Sequence, residues 1–295
     1  MIALVQTIIT GVLVGSLFGL FSSGFALSFG ITRVVNFSHG DFVTLGMYAS
    51  LMLLLGFGVH PLLSIVLVTP LMFLLGMLVY RVVIEQTLKR RMERPEDAQH
   101  AQMVITLALS ILIENMLLLA FGSATRTMNG VFAGDVNLGP LYANKAQLAA
   151  FFISTVCFGI LWFVLTRTSF GKTMRATVDD RDMATMIGID TRAVYAVSFG
   201  IGIALAGIAG IVLATFYPVA PLTGSTLIII AFVTVVLGGL GNVVGAFIGG
   251  LTVGIVQQLT ATYVALDLQN VGIFVVFILI LILRPQGLFG RRIAA

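Results

Sequence analysis

Two places in this sequence put chemically capable side chains inside apolar surroundings. The first, RVVNFSHGDF at residues 33–42, brings Arg33, Asn36, His39 and Asp41 within nine positions of one another. The second is Glu114, midway along ITLALSILIENMLLLAFG, followed by Asn115. A carboxamide, an imidazole and a carboxylate between two apolar runs suit a polar solute path. They equally suit the repair of backbone groups freed where a helix is interrupted. Ser38 or Asp41 also fits the cap of a following helix, so capping and lining both stand. Glu114 suggests either a functional carboxylate, with Arg33 as a partner on charge grounds, or hydrogen-bonded glue between helices. Gln257 and Gln258 carry the same pair of readings.

Enzymatic chemistry is not expected. TSFGKT at 168–173 has the tail of a phosphate-binding loop, but the Gly that GxxxxGK[ST] requires at 166 is Thr. His39, His60 and His100 are scattered, which disfavours a metal cluster at helical spacing. The single Cys157 lies in FFISTVCFGILWFVL and reads as a small core residue.

The elements that must hold these groups are set by composition. Of 295 residues, 59% are hydrophobic and 9% charged, with a mean hydropathy of +1.10. The solvent for most of such a chain is lipid, and nothing in it implies a nucleic-acid partner. Residues 1–32 and 193–266 contain no Asp, Glu, Lys or Arg. Runs apolar on every face predict membrane helices, about 20 residues each, rather than the alternating strands of a barrel. The first run lacks a basic leader and exceeds a signal peptide's apolar region, so it reads as a retained span. The expected fold is an all-α, polytopic transmembrane helix bundle, one transmembrane domain over residues 1–295, with some helices interrupted.

All but three of the 16 Lys and Arg fall in three clusters, Arg81–Arg94, Arg167–Arg192 and Arg284–Arg292. The positive-inside rule assigns all three to the cytoplasm, so an even number of crossings separates each from the next. Runs near 101–121 and 146–165 fill the first interval, with an external loop over 122–145. Segments near 193–216, 225–240, 243–264 and 270–284 fill the second. Residues 42–80 hold two apolar stretches broken at 56–61. Whether the stretch after Asp41 crosses or only dips in decides between nine segments and eight, and the side of the N-terminus.

Two glycine ladders, Gly11, Gly15, Gly19 and Gly241, Gly245, Gly249, predict close helix packing within the chain. Each lies near a polar break with Asn and Gly, 36–40 and 238–242, an echo suggesting a duplicated fold. Residues 166–192 are long for a connector. Ala176, Met183, Ala184 and Ile187 share one stripe at helical spacing, ended by Gly188, so an amphipathic helix docking on a cytoplasmic partner or lying on the membrane surface is expected.

VVNFSHGDFVTLGMYAS, GKTMRATVDDRDMATMIGID, GIALAGIAGIVLA and VVLGGLGNVVGAFIGGLTVG, with the closing LRPQGLFG, resemble the permease subunit of bacterial ABC importers for branched-chain amino acids. The likeness spans nearly the whole chain in order. It implies a multi-pass protein of the bacterial inner membrane, working by alternating access; Asn36, His39 and Asp41, from their place at the break, and Glu114, as an intramembrane carboxylate, are the expected path residues. It implies a cytoplasmic coupling segment with Gly171, Arg175, Asp180, Ala184 and Gly188 seated in a cleft on an ATPase. Ala184 and Gly188 are spaced like the Ala and Gly of such loops, although the usual Glu-Ala-Ala opening is not matched. The implied partners are a second homologous permease, two ABC ATPase subunits and a periplasmic solute-binding protein received by the 122–145 loop. ATP would be bound by those ATPases and no cofactor by this chain. Importers of urea and short amides use similar permeases. An ion-coupled secondary transporter would instead need Glu114 as its coupling group and would leave 171–190 without a role.

Overall fold

The computed structural model describes residues 1–86, 95–128, 131–132, 134–139, 141–284 and 286–290. Lys89, Arg90, Arg91 and Arg94 of the first basic cluster, Pro285 of the closing motif, and Arg291 and Arg292 lie outside the described residues.

Helix α1 runs Ile2–Thr32 and ends with Arg33 in the left-handed conformation (φ 54°), its N–H returned to the Phe29 carbonyl. A short extended stretch leads to α2, His39–Phe57, which Gly58 (φ 66°) terminates. The turn is only three residues, because Pro61 at the first position and His60 Nδ1, accepting from the Leu62 N–H at 3.3 Å, start α3 at once. Helix α3, Pro61–Val79, continues into a π-helical turn, Tyr80–Ile84. Then come α4, Pro95–Phe121, and a β-hairpin, β1 Asp135–Leu138 with β2 Leu141–Asn144, paired antiparallel from Asp135↔Asn144 to Leu138↔Leu141. Asn144 caps α5, Lys145–Arg167, by accepting from the Ala146 N–H. The connector carries α6, Ser169–Asp179, and α7, Arg181–Met186. The chain closes with α8, Thr191–Leu213, α9, Thr223–Gly238, α10, Val243–Tyr263, and α11, Gln269–Leu283.

Eight of these stretches are long and apolar enough to cross a bilayer, and α2 is one of them. The shortfall lies instead in α9. Its 16 residues span about 24 Å, less than the ~30 Å hydrocarbon core. Gln6 donates to the Tyr142 carbonyl at 2.7 Å and accepts the Tyr142 N–H at 3.1 Å, which ties the start of α1 to the hairpin. At the other end, Arg192 at the start of α8 meets Glu85 beyond α3 at 3.7 Å, bringing the first two basic clusters together. The hairpin itself was expected only as loop.

Burial orders the layers. Helix α8 is buried over 89% of its apolar stretch and α11 over 6%, so α8 is the axis and α11 the rim. Helices α1, α2 and α3 pack on α8. The α1–α10 contact is backbone on backbone. A Cβ on Gly11 would stand 2.7 Å from Ile255 Cα, one on Gly15 2.8 Å from the Gly250 carbonyl oxygen, and one on Gly19 2.7 Å from that of Phe247. Dispersion between such closely apposed helices supplies the attraction that lipid solvent cannot.

The second ladder divides. Gly245 and Gly249 face α9, at the Gly238 and Thr234 carbonyls, while Gly250 and Gly254 are the positions that meet α1. Gly241 does not join the helix: it sits in the α9–α10 turn with φ 79°, where a left-handed residue is needed, and a Cβ there would stand 3.3 Å from Gly30 Cα. The 238–242 break thus packs against the last turn of α1 at Gly30 rather than against the 36–40 break.

Candidate functional site

The break between α1 and α2 is held by its own side chains. Asn36 Oδ1 accepts the Ser38 N–H at 3.2 Å and the Ser38 hydroxyl at 2.7 Å, forming an Asx-type turn that sets the start of α2. Ser38 occupies the N-cap position but makes no side-chain cap bond. The same stretch leans on α4, where Thr106 Oγ1 accepts from the Phe37 N–H at 3.3 Å and reaches the Val35 carbonyl at 3.4 Å.

His39 is fully buried, its Nε2 2.9 Å from the Phe21 carbonyl of α1 and its ring 5.3 Å from that of Phe25. Asp41, 1% exposed, turns toward Ser110 and the Glu114 carboxylate on α4. It also lies against the first turn of α9, where a Cβ on Gly224 would collide with Asp41 Oδ1. Glu114 Oε1 accepts the Ser225 hydroxyl of α9 at 2.8 Å. Arg33 is exposed in the turn that ends α1, so the Arg33–Glu114 pairing suggested by charge is replaced by Ser225.

These contacts expose a pattern that a search for charge alone passes over. Gln102, Thr106, Ser110 and Glu114 recur every four residues and form one face of α4. That face, the 36–41 segment and Ser225 make a polar seam between α4 and the tips of α2 and α9. Several of its atoms have no hydrogen-bond partner: Asn36 Nδ2, His39 Nδ1, both Asp41 carboxylate oxygens and Gln102 Oε1. Each buried orphan costs about 1–3 kcal/mol, and more for a charged group, a concentration that packing alone does not favour.

The segment 166–192 forms a second cluster. Gly171 sits where a Cβ would run into the Leu165 backbone, and the Arg175 guanidinium donates to the Leu165 carbonyl, so α6 folds back tightly on the end of α5. Its buried face is Gly171, Met174 and Thr177. The single amphipathic helix expected here is two. Asp180 adopts an extended backbone and its carboxylate takes the Met183 N–H at 2.9 Å, which starts α7 as a new helix. Ala176 therefore leaves the predicted stripe. Ala184 turns inward at 2% exposure, whereas Met183, Met186 and Ile187 are 63%, 81% and 76% exposed. Gly188, at φ 88°, ends α7 as expected. Asp190 caps α8 through the Ala193 N–H, so the tip is fixed to the central helix.

A family model described as "Branched-chain amino acid transport system / permease component" matches residues 7–283. The chain is 30% identical to the high-affinity branched-chain amino acid transport system permease protein LivH of Salmonella typhimurium, over 97% of this chain and 95% of that one. It is 29% identical to the corresponding protein BraD of Pseudomonas aeruginosa, with the same coverage. A probable branched-chain amino acid transport permease protein LivH of Methanocaldococcus jannaschii is 29% identical over 95% of this chain and 90% of that one. No solved structure matches.

Proposed function

Since this chain belongs to the family of branched-chain amino acid transport permease components, we propose that it is the membrane subunit of an ATP-driven importer of branched-chain amino acids. It is a multi-pass membrane protein, and the proposed setting is a bacterial inner membrane with the basic clusters in the cytoplasm and the hairpin outside. The proposed partners are a second homologous permease, two ABC ATPases that bind and hydrolyse the ATP, and a periplasmic solute-binding protein.

The observation that carries this reading is the tip of α7. Three large apolar side chains, Met183, Met186 and Ile187, stand exposed at the basic end of a bundle, mounted on the α5–α6 turn and the capped start of α8. Such a knob suits a cleft on a partner. On ATP binding the ATPases close and shift α6 and α7. The central helix α8 follows through Asp190, and the bundle passes between outward-open and inward-open states. The seam of Asn36, His39, Asp41 and Glu114 is proposed as a section of the path that is closed in this conformation, its orphaned polar atoms finding water or solute in another.

Met186→Glu with Ile187→Glu tests the coupling. The double variant is expected to reach the membrane intact, to lose co-purification with the ATPases and to lose leucine uptake. Retained ATPase binding with full uptake would refute the role given to α7.

A further inference from the structure

The seam is tightly closed, yet open space exists on the other side of α1 and α9. A cavity of about 210 Å³ is bounded by Val14 and Phe18 of α1, Leu213 at the end of α8, and Leu227 and Ile230 of α9. These five side chains are buried, 1% to 7% exposed. The rest of its lining is five carboxamides, Gln147 of α5, Gln257 and Gln258 of α10, and Gln269 and Asn270 of α11, together with Phe216, Tyr217 and Thr226. Gln257 is 8% exposed, its Nε2 3.5 Å from Asn270 Oδ1. No Asp, Glu, Lys, Arg or His lines this cavity.

A wider cavity of about 760 Å³ adjoins it, walled by α1 and α10 and by Asp135, Tyr142 and Asn144 of the hairpin. Gln147 and Gln258 line both, so the two spaces lie against the same pair of side chains. Aliphatic and hydrogen-bonding groups around the small cavity make a site for one small solute. Cavities for drug-sized ligands run ~300–1000 Å³.

The geometry points to this carboxamide cavity as the solute-binding station of the chain, taking a zwitterionic amino acid with a branched aliphatic side chain. It rests on the transport role proposed above. Glutamine and asparagine supply both needed partners, carbonyl oxygens that accept from an ammonium and amide N–H groups that donate to a carboxylate. Being neutral, they hold a zwitterion without the deep electrostatic well that would slow its release, as any conduction pathway requires. The aliphatic wall takes the side chain, and an added charge would find no counter-charge there. The Phe18 ring lines the cavity while Phe21, 5.9 Å away from it, receives His39 through its carbonyl. Station and seam are therefore neighbours across a single turn of α1.

The test places one thiol in the cavity, Thr226→Cys on a Cys157→Ser background, in right-side-out membrane vesicles with an impermeant thiol reagent. Labelling is expected, slowed about tenfold by leucine at ten times its dissociation constant, and unchanged by lysine. Protection by urea without protection by leucine would keep the station and remove the branched-chain assignment. No labelling of a correctly inserted variant, or labelling indifferent to leucine, valine, isoleucine and urea alike, would overturn the station itself. Ile230→Trp, which fills the aliphatic wall, is expected to cut leucine uptake at least about tenfold with ATPase co-purification preserved. Undiminished uptake would also overturn it.

Discussion

The seam and the cavity both gather polar side chains inside an apolar bundle, but they do so in opposite ways. The seam buries Asp41, whose carboxylate oxygens lack partners, beside a half-exposed Glu114 that accepts from Ser225. The cavity is lined by carboxamides, with Tyr217 and Thr226, and by no Asp, Glu, Lys, Arg or His, and leaves room beside them. Unpaired charge without space is a cost that invites a change of conformation; paired or hydratable dipoles around space cost little and invite a guest. A membrane protein that must both move and let go of its cargo gains from keeping the two apart.

The first turn of α9 separates them, since Gly224 faces the seam and Leu227 the cavity. Gly224→Val should damage both at once, because its Cβ has no place beside Asp41; a loss above about 4 kcal/mol is expected, seen as loss of detergent-soluble, monodisperse protein. Normal yield would show that the two regions are not divided there. Asp41→Asn should split them. Replacing the buried carboxyl group, whose oxygens have no close partner, is expected to raise stability by about 1 kcal/mol, read as a higher melting temperature. Leucine uptake should fall about tenfold while thiol protection in the cavity persists. Gln258→Ala should do the reverse, weakening protection several-fold, about 1 kcal/mol for one hydrogen bond, with the melting temperature unchanged. Thr106→Val is the mildest, costing about 1 kcal/mol through the freed Phe37 N–H and leaving solute protection alone. A transport defect as large as that of Asp41→Asn would show that the α4 face does more than hold the break.

How much of this was legible in the sequence depended on whether a feature is local. Long apolar runs marked the membrane helices, and Asn36, Ser38 and His39 marked the break, because lipid permits polar groups only where something holds them. Asp180 was readable as a charge but its cap was not, since a cap competes with continuing helix and only packing of Ala184 decides. The α4 face was visible as a four-residue repeat, yet Ser and Thr are common in membrane helices and drew no notice beside Glu114. The cavity was not readable, for its carboxamides come from α5, α10 and α11, far apart along the chain. The hairpin was hidden by its two-sided polarity: GDVNLGPLYAN shows no alternation strong enough to announce strands.

One contact has a mechanical corollary. Because α1 and α10 touch main chain to main chain at Gly11, Gly15 and Gly19, no rotamer lies between them to absorb a shove. The two rods behave as a laminated beam, and with 21 residues in α10 their paired length is about 32 Å. A small tilt forced at its basic foot would swing the hairpin end by a proportionate arc, so the roof over the wider cavity would open or shut without any spring of its own.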